Sequence, residues 1–327
     1  MTKKILGIGS ALIDILVPMK DDSLLESLNL PKGSMQLIDA TTSETLEKAL
    51  SSHDKQMASG GSSANTIYGL AKMGVESGFL SMIGNDTLGR FFEKDLLDCS
   101  VKPILLKSNT PSGRAITFVS ADGERTFATY LGASLDLSAE HLSIEMFEGW
   151  DYLYVEGYLV ANRPMLDTAI DLALRTGTKI ILDLASYNVV NENIDYLSSL
   201  LERTSIVFAN EEEAKALTGM QPNAALQYLA DRCEVAVVKI GKNGSLIQSG
   251  QDKILVDARL SKAVDTTGAG DLYASGFLTG YLQDYPLEVC GKLGSLLSGN
   301  IVEVIGAKMD KQRWASIYQE SETLLNR

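Results

Sequence analysis

Tyr152-Leu-Tyr-Val155, Lys179-Ile-Ile-Leu182, Ile206-Val-Phe208 and Val235-Ala-Val-Val-Lys-Ile240 are short apolar runs that read as buried strands. Between them stand Pro164 to Arg175, Glu211 to Leu217 and Ala224 to Cys233, whose apolar residues recur with helical period. Working outward, Ile5 to Ile8 adds an earlier strand and Leu272 to Leu282 a later helix. Alternation of this kind builds βαβ units around a mainly parallel sheet, so the fold class is α/β and sites are expected at the carboxyl ends of strands.

Two stretches break the alternation: roughly 12–39, and 102–130 with its turn-rich Asn109-Thr-Pro-Ser-Gly113 and Ala121-Asp-Gly-Glu124. Each carries short β-type runs (Ile15 to Val17, Ala115 to Val119, Thr126 to Tyr130) separated by turn residues. They read as insertions forming a small β lid on a single α/β unit that spans 1–327, because no repeat, low-complexity tract or long linker divides the chain.

With 45% hydrophobic and 22% charged residues among 327, the chain has the composition of a globular protein with a sizeable core. A net charge of -13 argues against a nucleic-acid or anionic-membrane surface, since both require clustered cations. Any phosphate must therefore be held locally. Cys99, Cys233 and Cys290 lie far apart with no zinc or disulfide spacing, which fits a reducing cytoplasm. The run after Lys3-Lys4 is too brief for a signal sequence and no 18-residue apolar stretch occurs, so neither export nor membrane insertion is expected.

Asp265-Thr-Thr-Gly-Ala-Gly-Asp271 opens a helical run. A glycine-rich turn at a helix start leaves backbone N–H groups unpaired at the positive end of the dipole, a cradle for anions. Asp271 there either caps the helix, or takes a proton from an incoming hydroxyl while the amides of Gly268, Ala269 and Gly270 hold a phosphoryl group. Gly7-Ile-Gly9 begins a dinucleotide pattern that Leu12 ends, and no GxxxxGK[ST] occurs. Gly60-Gly-Ser-Ser-Ala-Asn65 permits close backbone approach and offers an amide to a hydroxyl, or is a loop before an ordinary helix. Asp14, just past the first strand, suits either vicinal hydroxyls or a turn. Asn210-Glu-Glu-Glu213 reads equally as a capping box or as a pair organising Mg²⁺ and its waters. Gly241-Lys-Asn-Gly244 is a tight turn or a nucleotide-facing loop.

In this order the segments resemble the PfkB family of carbohydrate and nucleoside kinases, the ribokinase-like group, from Gly7 to about Ala307. Asp265 to Asp271 is similar to its C-terminal signature; Gly60 to Asn65, with Ile83-Gly-Asn-Asp86 and Gly89, is similar to its N-terminal one. The resemblance implies a three-layer sandwich with a β lid that closes over the acceptor, and transfer of the γ-phosphate of ATP to a primary hydroxyl. It implies Asp271 as base, Gly268, Ala269 and Gly270 as anion hole, and Asp14, Gly60, Gly61, Asn65 and Glu156 as acceptor ligands. Asn210 and Glu213 would act on Mg²⁺ through water; Asn188, Lys239, Gly241, Gly244 and Asn300 would line the nucleotide. Lys239 departs from the small hydroxyl residue often found at its position and could contact phosphate directly. A monovalent cation, and a homodimer formed through the lid, are left open.

The acceptor is harder to read. Leu12, Leu16, Met35 and Leu37 form an apolar rim that suits either a purine or packing within the lid, and Gly123-Glu-Arg-Thr126, Tyr130-Leu-Gly-Ala133 and Glu156-Gly-Tyr158 resemble the adenosine-kinase-like branch. Fructose- or ribose-type sugars are the alternative, as is a ligand-binding protein that keeps the fold without chemistry.

Overall fold

The structure, a computed structural model, describes residues 3–51, 53–122 and 124–325, without the side chain of Met35. Gly123 in the lid turn and the Met35 side chain of the apolar rim therefore lie outside the described residues. The strands are β1 (Ile5–Ile8), β2 (Leu12–Pro18), β3 (Met35–Leu37), β4 (Gln56–Gly60), β5 (Ser77–Gly84), β6 (Val101–Ser108) and β7 (Gly113–Val119). They continue as β8 (Arg125–Tyr130), β9 (Tyr152–Glu156), β10 (Lys179–Asp183), β11 (Ile206–Asn210), β12 (Val235–Lys239), β13 (Ser245–Ser249) and β14 (Asp252–Val256).

A nine-stranded sheet runs β14-β13-β12-β11-β10-β9-β1-β5-β6. From β12 to β6 every pairing is parallel, and the β13–β14 hairpin adds an antiparallel edge. Side chains alternate between two cores. Ile5, Phe79, Tyr154, Ile181 and Phe208 face the helices Ser62–Lys72 and Ala269–Tyr281, whereas Leu6, Leu80, Leu153, Leu182 and Val207 face Arg163–Arg175 and its neighbours. Burial on both faces is why these strands are continuously apolar rather than alternating. Phe208 meets Phe277 edge-on at 5.4 Å, and each such fully buried ring contributes roughly 1.5–3 kcal/mol. The result is the three-layer α/β sandwich expected from the sequence.

A second sheet, β3-β8-β7-β2-β4, stands over the carboxyl end of β1. It corrects the expected lid boundaries in two ways. Val101–Ser108 pairs with β5 as the edge of the main sheet, where Pro103 is tolerated because an edge strand leaves one row of N–H groups unused. Gln56–Gly60, outside both expected insertions, also belongs to the lid: it pairs antiparallel with β2 and sets Gly60 opposite Leu12. Asp86 ties the two sheets together: it caps the helix Thr87–Asp98 through the N–H of Gly89 (2.7 Å) and accepts the N–H of Ser112 (2.7 Å) just before β7. No helix among the described residues is long and apolar enough to cross a membrane.

Candidate active site

One cavity of about 800 Å³ opens where the carboxyl ends of the central strands meet the lid. Gly268 to Asp271 form part of its wall. Gly268 has φ +75°, a left-handed turn that glycine adopts without strain, and no side chain caps the helix Ala269–Tyr281 that follows. The Ala269 N–H, expected in the anion hole, instead donates to the Thr266 carbonyl (3.1 Å), which leaves the amides of Gly268 and Gly270 beside the cavity at the positive end of the dipole.

Asp271 sits in the first turn of that helix, yet its bonds come from elsewhere. Ser62 Oγ donates to Oδ1 (2.7 Å) and Asn65 Nδ2 to Oδ2 (3.1 Å), both from the helix Ser62–Lys72. Ser275 Oγ donates to the Thr66 carbonyl (2.9 Å) and holds the two helices together. Burial pushes the Asp271 carboxyl up to about 7, and the nearby Asp183 adds to this against the bonds from Ser62 and Asn65 and the charge of Lys239.

Asp14 reaches the same cavity from β2. Burial pushes its carboxyl up to about 6, with the Lys308 cation opposing. Gly60 is required beside it, because a Cβ at that position would lie 2.3 Å from the Asp14 carboxylate. Gly61, Asn65, Gly241 and Gly244 border the cavity as well.

Lys239 ends β12 with its Nζ 3.4 Å from Asp183 Oδ2 and 3.1 Å from where a Gly270 Cβ would stand, so its charge lies beside the amide cradle. Burial works against that charge, but the carboxylates of Asp183, Glu213 and Asp271 outweigh it and raise the pKa. Asn210 and Glu213 form a complete capping box on the helix Glu211–Thr218. Asn210 Oδ1 accepts the Glu213 N–H (2.8 Å), and the Glu213 oxygens accept the Asn210 N–H (2.8 Å) and Nδ2 (2.6 Å). Burial pushes Glu213 up to about 7, with Lys239 opposing. Among the described residues no three His, Cys, Asp or Glu side chains converge on one point. With both Glu213 oxygens already accepting from Asn210, this wall suits a hydrated Mg²⁺ that travels with phosphate, reached through water.

Four expected ligands do not border the cavity: Gly60, which stands beside Asp14, and three that lie elsewhere. Glu156, 1% exposed, accepts the N–H of Ser10 and of Ser63 (2.8 Å each), and so ties the loop after β1 to the helix behind Asp271 rather than facing the cavity. Asn188 is exposed on the short helix Tyr187–Glu192 and does not border the cavity. Asn300, 4% exposed, donates to the Leu296 carbonyl (2.9 Å) and accepts from Arg313 (3.3 Å); on its helix Ser295, Ser298 and Gly299 line the space, with Val302 just past the end.

Four residues were missed. Asp183 ends β10 as Asp14 follows β1, so the carboxyl-end rule could have found it. Ser62 lies inside the quoted glycine motif. Tyr158 borders the cavity with 45% of its surface exposed. Arg125 of β8 pairs with Asp265, whose carboxylate also accepts from Thr267 N (2.9 Å) and Gly306 N (2.6 Å), so the first acid of the signature braces its loop against the lid.

The profile of the pfkB family of carbohydrate kinases matches residues 33–313. An adenosine kinase from Sinorhizobium meliloti superposes with a TM-score of 0.85 at 34% identity, over 98% of this chain and 100% of that one. A probable sugar kinase from Rhizobium etli gives 0.85 at 32% identity, over 98% of each chain. A nucleoside kinase from Methanocaldococcus jannaschii is 26% identical over 279 residues, 80% of this chain and 85% of its own length.

Proposed function

The chain belongs to the pfkB family of carbohydrate kinases, phosphotransferases with an alcohol group as acceptor, and on that premise we propose that it phosphorylates the primary hydroxyl of a nucleoside of the adenosine type, with ATP as donor. The observation that carries this reading is Asp271, a half-buried carboxylate at a helix tip without a side-chain cap, in one cavity with Asp14 and Lys239. The acceptor oxygen attacks the γ-phosphorus, its proton passes to Asp271, and the bond to the β-phosphate oxygen breaks as ADP leaves. The amides of Gly268 and Gly270, with Lys239, face the charge that develops on the transferring group. Mg²⁺ would supply charge neutralisation at the phosphates, with Asn210 and Glu213 reaching it through water. Asp14 accepts the vicinal hydroxyls of the ribose.

A nucleoside is favoured over a bare sugar by the apolar surface beside Asp14. Leu12 and Leu16 share its face of β2 and Leu37 of β3 is 68% exposed, all outside the cavity wall itself, which Tyr158 borders. The lid would close over the base and exclude water from the transfer. The likeness to a probable sugar kinase keeps one second reading, a ribose- or fructose-type acceptor. A coupled assay of ADP release over adenosine, other nucleosides, ribose and fructose decides between them. Adenosine is expected to exceed the free sugars by at least roughly tenfold in kcat/KM, the worth of one buried apolar contact. A free sugar as best acceptor would overturn the nucleoside assignment.

A further inference from the structure

We propose that Ser62 is a positioning residue for the base: its hydroxyl holds Oδ1 of Asp271 in the place the acceptor hydroxyl must take, and yields that place when the acceptor binds. The inference rests on the reading of Asp271 as base.

Two donors three residues apart on one helix, Ser62 and Asn65, each engage one oxygen of Asp271 and so fix the plane of its carboxyl. They are not equivalent. Asn65 borders the cavity too but is only 5% exposed, and its Oδ1 is buried with no partner among the described residues. Ser62 borders the cavity, is half-buried, and carries a rotatable hydroxyl that can turn away at little cost. An acceptor hydroxyl donating to Asp271 makes the same O–H···O bond that Ser62 makes now, so the oxygen stays satisfied through the exchange.

The bond also favours the ionised carboxylate, the form able to take a proton. The other titratable groups facing Asp271 are Asp183, Lys239, Tyr154 and Tyr158, and none of them bonds to Ser62. Replacing Ser62 therefore changes one contribution while the rest stay in place. A serine serving only to start its helix would alter thermal stability and leave the titration of Asp271 where it was.

The test uses the full chain with Ser62→Ala and Ser62→Thr. The Asp271 carboxyl is followed by ¹³C NMR in aspartate-labelled protein, with Asp271→Asn giving the assignment. We expect its midpoint to rise by about one pH unit in Ser62→Ala, the loss of one hydrogen bond to a charged group, and to return in Ser62→Thr. The acid limb of kcat/KM should rise in parallel, with KM for ATP unchanged. An unchanged midpoint in Ser62→Ala overturns the proposal. If Asp271→Asn proves fully active, the base assignment fails instead, and the NMR titration still decides whether Ser62 governs this carboxyl.

Discussion

Two helices begin at the same cavity with an acid in the first turn, and they use it in opposite ways. In Glu211–Thr218 the acid is Glu213; in Ala269–Tyr281 it is Asp271; burial pushes both up to about 7. Glu213 is satisfied by Asn210, three residues away, and closes its own helix tip. Asp271 follows Gly268, which has no side chain to cap with, and is held by Ser62 and Asn65 from two hundred residues earlier. An acid satisfied within one turn of its own chain completes a helix. One that needs a distant segment leaves the amides beside it open, and so can take part in a reaction.

The sharpest way to break this contrast is to neutralise each acid in turn. Asp271→Asn is expected to lower kcat roughly 10²- to 10⁴-fold, the range for loss of a general base, while ATP affinity measured by calorimetry stays near that of the parent. Glu213→Gln keeps a capping-box residue at the same place, so its kcat should fall no more than about tenfold, with a several-fold rise in the Mg²⁺ concentration for half-maximal rate. Equal losses of kcat in the two variants would mean that the tips do not differ in kind.

How far each tip was legible follows from the same contrast. The capping box is local, three residues apart, and so stands in the sequence as one of two readings. The glycine signature is also local, and Asp271, Gly268, Lys239 and Asp14 line one cavity. Ser62 could not be weighed in advance, because its role exists only once two segments 209 residues apart are packed together. Glu156 and Asn300 fail for the converse reason. Both stand at strand or helix positions close to the site, but their side chains turn to backbone and neighbour groups that the linear pattern does not display. In the fold, Ser77-Gly-Phe-Leu-Ser-Met-Ile-Gly84 escaped notice as a strand because its serines and glycines dilute the apolar run. Those small residues are needed by the packing, since a Cβ at Gly78 would meet the Trp150 ring at 2.5 Å.

A smaller effect concerns stability. Because the folded pKa of Asp271, about 7, lies above its ordinary 3.8, the native state retains a proton that the unfolded chain has lost between those values. The native state is therefore favoured at low pH, and this contribution is lost as pH rises through 7. Asp271→Asn removes the dependence: its Tm should match the parent near pH 3 and exceed it by roughly 4–12 °C at pH 8. Differential scanning calorimetry across that range would show it. A difference that is constant with pH would mean the carboxyl is not titrating in this window.

The smallest expected change belongs to the self-satisfied tip. Asn210→Ala deletes the acceptor of the Glu213 N–H and one donor to its carboxylate, while the Asn210 backbone N–H remains. Loss of an N-cap of this type costs about 1 kcal/mol, or a Tm lower by about 1–3 °C in a chain of this size. The freed carboxylate oxygen still faces the wall where hydrated Mg²⁺ would pass, so kcat should stay within about threefold of the parent, since a helix cap acts on stability rather than on the barrier. Should kcat instead collapse while Tm holds, Asn210 would belong to the chemistry, and the division between a tip that completes a helix and a tip that reacts would have to be redrawn.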